Sequence, residues 1–251
     1  MIRVVWGGQL IRDLLDFCYP HRCARCETLT TGPFLCATCD SELRALERRP
    51  ACDRCAMPLG GPGGACPYCE GEGVKPFDRI VALGVYRDPL RHILYNVKYH
   101  GRWPLAERLA DRMLEQEPVK GLLSDVDCLV PVPLHRSRQI SRGFNQSDVL
   151  ARRLKKRTGK PVKHPAVRLK KTDPQIQFHS RAKREENLKD AFGLVNDRPI
   201  RDKHVLIVDD IMTTGATLQS FARTLRHAEP ASLSVLVLAV ADPLGQDFQV
   251  I

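Results

Sequence analysis

The sequence has no long hydrophobic run. Charged residues such as Arg3, Arg12 and Asp13 interrupt the apolar residues near the amino terminus, which argues against the continuous apolar core of a signal peptide. No later stretch reaches the roughly 20 apolar residues that a membrane-spanning helix needs. We therefore expect a cytoplasmic protein without a transmembrane segment, and residues 9–17 predict a short amphipathic helix.

Aromatic residues are also scarce, and acidic residues are fewer than basic ones. Aromatic residues are 6% of the 251 residues, so no extended platform for stacking nucleic-acid bases is evident. Lysine and arginine outnumber aspartate and glutamate by 39 to 29, which gives a formal net charge of +10. Ten basic residues and no acidic residue lie between Arg152 and Lys171. This run is either a solvated surface or a track for nucleic acid. Its candidate contacts are Lys155, Lys156, Arg157, Lys170 and Lys171.

Cysteines, by contrast, are abundant and regularly spaced. Eight of the ten fall into four Cys-x2-Cys pairs: Cys23 and Cys26, Cys36 and Cys39, Cys52 and Cys55, Cys66 and Cys69. Each pair can present two thiolates to one metal ion, and a second pair across a short hairpin completes a tetrahedron. Disulfides need an oxidising compartment, which no export signal supports.

The spacing therefore predicts two structural zinc sites, each closed by four thiolates. Sequential pairing puts the first four cysteines in one site and the last four in the other, while a crossed arrangement stays open. Cys18 and Cys128 fall outside the pairs, and for Cys128 we expect the role of a small buried apolar residue.

The chain divides after Gly71-Glu72-Gly73. We expect a small zinc module over residues 1–73, with a helical turn or two over 41–49, and an α/β domain over 74–251. The second domain opens with a strand over 80–86 and a helix capped by Asp88 that ends near Gly101. A helix from Pro104 and a strand over 128–133 follow. The polar segment 168–190 predicts a mobile lid.

The central feature of the sequence is a buried strand over 205–208 that is followed by Asp209 and Asp210. Ligands of open α/β sheets bind beyond the carboxyl ends of the strands, and a helix start there attracts anions. The turn before the next helix is small and polar, and Gly215 lets the backbone approach a phosphate. The two aspartates accept hydrogen bonds, which suits the two hydroxyls of a ribose. The predicted ligand-binding residues are Asp209, Asp210, Thr213, Thr214, Gly215, Ala216 and Thr217.

A second anion site is predicted where the strand over 128–133 ends. The next residues, 134–145, read as a basic loop that leads into a helix and contains Arg136, Arg138 and Arg142. A pyrophosphate would suit such a loop, and the alternative is an ordinary solvated connection. The candidate pyrophosphate contacts are Pro133, Leu134 and Arg142.

The segment from Val205 to Leu218 resembles the loop of type I phosphoribosyltransferases that binds phosphoribosyl pyrophosphate (PRPP). The chain as a whole resembles the ComF family of competence-associated, phosphoribosyltransferase-like proteins. The resemblance is carried by the cysteine pairs and by residues 98–101, 131–134, 142–146, 175–188 and 208–218. It implies a Rossmann-like parallel sheet of the type I phosphoribosyltransferase kind, PRPP with Mg²⁺ as the ligand, and a setting in DNA uptake during natural transformation.

The resemblance also implies roles for individual residues. Asp209 and Asp210 hold the ribose hydroxyls, the turn after them cradles the 5′-phosphate, and Arg142 with Mg²⁺ holds the pyrophosphate. Lys98, near the end of its helix, joins the PRPP-binding residues. The implied catalytic set is Asp209, Asp210 and Arg142.

Three classes of function follow. The first is a phosphoribosyltransferase of nucleotide metabolism that acts on an unidentified acceptor. The second is a DNA-uptake protein that binds PRPP and single-stranded DNA, with helicase or recombination partners. The third is a zinc-bearing scaffold whose PRPP site is vestigial, and the intact phosphate loop argues against it.

Overall fold

The computed structural model describes residues 21–32, 34–59, 66–170 and 190–241. The helix predicted over 9–17 and nearly all of the predicted lid lie outside these ranges. Within them, the helices are α1 (Ala37–Glu47), α2 (Leu90–Tyr99), α3 (Pro104–Met113), α4 (Glu117–Ser124), α5 (Arg136–Arg142), α6 (Gln146–Thr158) and α7 (Ala216–Arg226). The strands are β1 (Arg79–Val85), β2 (Cys128–Pro131), β3 (Ala166–Arg168), β4 (Phe192–Leu194), β5 (His204–Met212) and β6 (Ser232–Val240). Among the described residues, none of the helices combines the length and the apolar composition of a membrane-spanning segment.

Four strands form one parallel sheet in the order β1-β6-β5-β2. Residues 205–208 are fully buried, as expected for a central strand with both faces covered. The prediction of an α/β fold with a parallel sheet is thereby confirmed. Strand β5 is longer than predicted, so Asp209 and Asp210 lie inside it, and Asp209 pairs with Val237 of β6.

Each face of the sheet carries its own hydrophobic core. Leu206 and Val208 of β5 pack with α2, α3 and α6, whereas Val205 and Ile207 pack with α7 on the opposite face. This alternation follows from the two-residue period of a strand. The carboxyl ends of β2 and β5 lie between the two layers of helices, and polar residues line the open space there.

The two cysteine quartets pack on opposite faces of the sheet. Cys23 and Cys39 belong to the core beside α2 and α3, whereas Cys55 belongs to the core beside α7. Between them lies the edge strand β1, whose Ile80 amide donates to the Arg54 carbonyl at 3.0 Å. Covering a sheet edge removes a site for unwanted pairing with other chains. The domain boundary near residue 74 stays a prediction.

Several predicted elements need correction. Helix α1 begins at Ala37, between Cys36 and Cys39, so the second cysteine pair opens a helix instead of completing a hairpin. The stretch read as a basic loop contains α5, which has no buried residue and therefore shows no apolar periodicity. Helix α2 begins at Leu90 without a side-chain cap, and β2 ends at Pro131 rather than 133. Helix α4 and the antiparallel pair β3–β4 were not predicted, and three-residue strands are too short for a pattern.

Candidate functional site

A cavity of about 380 Å³ lies at the carboxyl ends of β2 and β5. Six predicted site residues line it: Lys98, Leu134, Arg142, Asp209, Asp210 and Thr217. The structure adds residues that were not assigned to the site, namely Tyr99, Val132, Arg138, Ser141, Gln146, Ser147, Arg168 and Ile211. The cavity therefore joins residues of α2, α5, α6, α7, the strands β3 and β5, and the segment that follows β2.

Other predicted residues lie elsewhere. Thr213, Thr214 and Gly215 form the turn into α7 beside the cavity, and Ala216 is the first residue of that helix. Pro133 lines an adjoining cavity of about 670 Å³. Lys155, Lys156 and Arg157 lie on the last turn of α6, and Lys170 follows β3. Lys171 lies outside the described residues.

The two aspartates are held by α6 and α2. Ser147 Oγ donates to Asp209 Oδ1 at 2.8 Å, and Gln146 Nε2 donates to Asp210 Oδ2 at 3.2 Å. Lys98 Nζ forms an ion pair with Asp210 Oδ2 at 3.1 Å. The carboxylates are therefore oriented before any ligand arrives, which reduces the entropy that binding must overcome.

The first turn of α6 owes its position to its cap. Asn145 accepts a hydrogen bond from the Ser147 amide at 3.1 Å and donates through Nδ2 to the Val132 carbonyl at 2.9 Å. Gln146 is 2% exposed, and its Oε1 atom is buried with no hydrogen-bond partner among the described residues. An unpaired buried acceptor of this kind costs free energy.

Asp209 is an unusual carboxyl group because burial, reinforced by the charge of Asp210, raises its pKa to about 7. The hydrogen bond from Ser147 opposes this shift but does not cancel it. A carboxyl group whose pKa is higher in the folded than in the unfolded protein takes up a proton on folding at intermediate pH.

We expect a pH dependence of stability from this group. Because the folded state binds the extra proton, the free energy of unfolding should fall between about pH 4, the unfolded pKa, and about pH 7, the folded one, by up to about 1.4 kcal/mol per pH unit. Above about pH 7 this contribution should be constant. Urea unfolding of wild type and Asp209→Asn between pH 5 and 8 measures it as the difference between the two proteins. A pH-independent difference would contradict the raised pKa.

Four cationic side chains face the two acids. Lys98, Arg138, Arg142 and Arg168 line the cavity. The guanidinium of Arg142 lies 5.8 Å from the ring centre of Tyr99, and that of Arg168 lies 5.2 Å from the ring centre of Phe192. Burial lowers the pKa of both arginines, yet arginine stays charged in proteins. The cavity therefore carries excess positive charge, which favours a polyanion.

The turn into α7 has the geometry of an anion site. Gly215 precedes the helix with φ of 75°, a left-handed conformation that glycine adopts without strain. Having no side chain, it leaves the first amides of α7 uncapped, and such amides bind anions. Thr217, one residue into the helix, lines the cavity, so this anion site lies beside the aspartates.

The cysteines form two groups by sequential pairing. In each quartet the four sulfur atoms lie within 4.8 Å of one another, which leaves the crossed arrangement unsupported. Sulfur–sulfur distances of 3.7 Å for Cys26–Cys36 and 3.6 Å for Cys55–Cys66 match the roughly 3.8 Å edge of a tetrahedron with Zn–S bonds of about 2.3 Å. The residues therefore fit two structural zinc ions.

The two groups differ in exposure. All four cysteines of the second quartet are buried, whereas Cys26 is exposed and Cys36 is half-buried. Cys128 is 2% exposed, as predicted, and Cys18 lies outside the described residues.

Two family models agree with this architecture. The family model of the phosphoribosyl transferase domain matches residues 140–247, and that of the double zinc ribbon domain matches 14–70. DNA utilization protein YhgH of Salmonella typhi is 33% identical over 81% of this chain and 89% of the relative. Competence protein F of Haemophilus influenzae is 30% identical over 82% and 90%. A purine phosphoribosyltransferase from Pyrococcus horikoshii aligns with a TM-score of 0.33 and 20% identity over 56% of this chain and 77% of that one.

Proposed function

Because the chain belongs to the ComF family, whose members combine a double zinc ribbon with a phosphoribosyltransferase domain, we propose that it binds PRPP with Mg²⁺ and acts in DNA utilisation. The observation that carries the proposal is one cavity in which two oriented aspartates face four cations beside an uncapped helix start. A sugar that carries a hydroxyl pair and phosphates at both ends matches these three features.

Each part of PRPP has a proposed partner. The 5′-phosphate binds the turn from Thr213 to Thr217, and the ribose hydroxyls donate to Asp209 and Asp210 in their ionised forms. The pyrophosphate binds Arg142 and Lys98 beside Leu134, with Arg138 and Arg168 adding positive charge. When bound with PRPP, Mg²⁺ would neutralise charge on the phosphate oxygens.

The same arrangement supports group transfer. As the bond between C1 of the ribose and the pyrophosphate lengthens, positive charge grows on the ribose ring and negative charge on the leaving group. Asp209 and Asp210 stabilise the first, and the cations of the cavity stabilise the second, so catalysis rests on positioning and electrostatics. An acceptor with a nucleophilic nitrogen completes the reaction, and pyrophosphate release in its presence distinguishes a transferase from a protein that only binds PRPP.

Titration calorimetry tests the binding. PRPP with Mg²⁺ should bind more tightly than ribose 5-phosphate or pyrophosphate, since only PRPP occupies both anion sites. Arg142→Ala should weaken PRPP binding about 10-fold or more, because a hydrogen bond to a charged group contributes about 1.5–3 kcal/mol. Arg136→Ala is the matched control, since Arg136 lies on the same helix but lines the adjoining cavity. Equal affinities for the two variants would refute the assignment of Arg142.

Single-stranded DNA is a second candidate ligand, favoured by the exposed residues Lys155 and Lys156 at the end of α6. Other members of the basic run are neutralised within the protein: Arg157 pairs with Asp111 at 3.1 Å, and Arg152 pairs with Asp148 at 2.7 Å. The proposed DNA track is therefore narrower than the sequence suggests. Helicase and recombination partners are proposed from the family setting alone.

Replacing Lys155, Lys156 and Arg157 with alanine should weaken single-strand binding and flatten its salt dependence. Each lost phosphate contact reduces the slope of log K against log salt by about 0.7 for single strands. Because Arg157 already pairs with Asp111, we expect a reduction of about 1.4, equivalent to two contacts. Fluorescence anisotropy of a labelled oligonucleotide at several salt concentrations measures it, with Lys203→Ala, before β5, as the control. An unchanged slope would assign these residues to an ordinary solvated surface.

A further inference from the structure

Helix α2 lies between the first cysteine quartet and the cavity, and it contacts both. Asn96 Nδ2 donates to the Ala24 carbonyl at 3.1 Å, and Ala24 lies between the metal-binding residues Cys23 and Cys26. Two residues further along the helix, Lys98 pairs with Asp210 at 3.1 Å. Since successive helical residues are about 100° apart, these two side chains leave α2 in nearly opposite directions.

Asn96 anchors the end of α2 that carries Lys98. Its side chain is buried, with 8% of the residue exposed. The backbone carbonyl of Asn96 accepts hydrogen bonds from the His100 amide at 3.1 Å and the Arg102 amide at 3.3 Å. A shift of the Ala24 carbonyl would leave the buried Asn96 amide unsatisfied, which is costly, unless the end of α2 moved with it.

A second set of contacts connects the first quartet to the helices on this face of the sheet. Arg112 of α3 is buried and donates to Asp40 at 2.6 Å and to Glu47 at 2.7 Å and 3.2 Å. Both acids lie on α1, the helix that contains Cys39. The first metal site, α1, α2 and α3 therefore form one packed unit on one face of the sheet. The second quartet packs on the opposite face.

We propose that metal binding by the first quartet positions Lys98 through Asn96, so that the first zinc site and the PRPP cavity are thermodynamically coupled. Asn96 is a positioning residue in this scheme, since it acts on the ligand through Lys98. The inference rests on the proposed PRPP site. Coupling between two binding sites is reciprocal, so bound PRPP must raise the zinc affinity of the first site by the factor by which zinc raises the PRPP affinity.

Zinc affinity in the full-length protein provides the test. The first zinc, bound by the more exposed quartet, is withdrawn by competition with a metallochromic chelator, with and without saturating PRPP and Mg²⁺. We expect PRPP to raise the zinc affinity of the first site about 5-fold or more, which is the lower end of typical couplings. The second zinc, whose four ligands are all buried, should stay bound in both titrations, so that the comparison reports the first site alone.

Two variants test the route of the coupling. Asn96→Ala should abolish the effect of PRPP on zinc affinity and should weaken PRPP binding. It should have no further effect on PRPP binding in a Lys98→Met background, because the two residues act as one path. Gln116→Ala is the matched control: it removes another hydrogen bond from a side-chain amide to a backbone carbonyl, that of Leu83 at 3.1 Å, and should leave the coupling intact.

The outcomes separate the two proposals. PRPP binding with an unchanged zinc affinity in the wild-type protein would overturn the coupling alone, and this measurement does not depend on any variant being folded. Additive effects of Asn96→Ala and Lys98→Met on PRPP affinity would overturn the route through Lys98. A wild-type protein that does not bind PRPP would overturn the proposed function, and the coupling with it.

Discussion

Replacing both Asp209 and Asp210 with asparagine should abolish the thermal stabilisation that PRPP with Mg²⁺ gives to the wild-type protein. At a ligand concentration about 100-fold above its dissociation constant, binding stabilises the folded state by about 2.7 kcal/mol. For a chain of this size, that corresponds to a rise in melting temperature of about 5–10 °C. The double variant should show no rise, because two ionised acceptors for the ribose hydroxyls are replaced by neutral amides.

The fold itself should survive this change. Asparagine has the shape of aspartate, and the substitution removes the repulsion that helps to raise the pKa of Asp209. Asp127→Asn is the control, since Asp127 accepts the His204 amide at 2.8 Å at the opposite end of the sheet. That variant should melt earlier but keep its full PRPP shift. Undiminished stabilisation of the double variant by PRPP would show that the aspartates do not bind the sugar.

The second large effect concerns zinc. The wild-type protein should contain two zinc ions per chain, and Cys55→Ser, in the buried quartet, should lose one of them together with cooperative folding. Structural zinc contributes an apparent 10–16 kcal/mol or so in zinc-finger peptides, which matches or exceeds the roughly 5–15 kcal/mol stability of a typical protein. Elemental analysis and thermal melting measure both effects.

Cys128→Ser is the matched control for the zinc prediction. Cys128 is as buried as the second quartet but belongs to neither metal group. Its serine variant should keep two zinc ions and lose only the modest stability that a buried hydroxyl costs. Zinc-free wild-type protein that was purified without chelators and still unfolds cooperatively would contradict the structural role of both quartets.

The parts of the site that are continuous in sequence could be predicted from it. The strand, the acidic pair and the glycine turn are adjacent along the chain, as are the members of each cysteine pair. The sequence did not identify Gln146 and Ser147 as site residues, because they lie on α6, far along the chain from the aspartates of β5. The Asn145 cap that directs them was a local signal that could have pointed to them.

Residues that depend on tertiary pairing could not be read from the sequence. Arg168 lies within a long basic run, and only the short strand β3 brings it to the cavity. The acid that neutralises Arg157 is Asp111, which lies on a different helix. The sequence shows how many basic residues a segment contains but not which acidic residues pair with them in the fold. The segment from Arg152 to Lys171 therefore carries less unpaired positive charge than its sequence indicates.

A crystal structure of the protein with PRPP and Mg²⁺ tests the central claim most directly. We predict ribose hydroxyl oxygens within hydrogen-bonding distance, about 2.5–3.0 Å, of the carboxylates of Asp209 and Asp210, with the 5′-phosphate at the amides between Thr213 and Thr217. PRPP bound elsewhere, with these carboxylates still engaged only by Ser147, Gln146 and Lys98, would contradict the account.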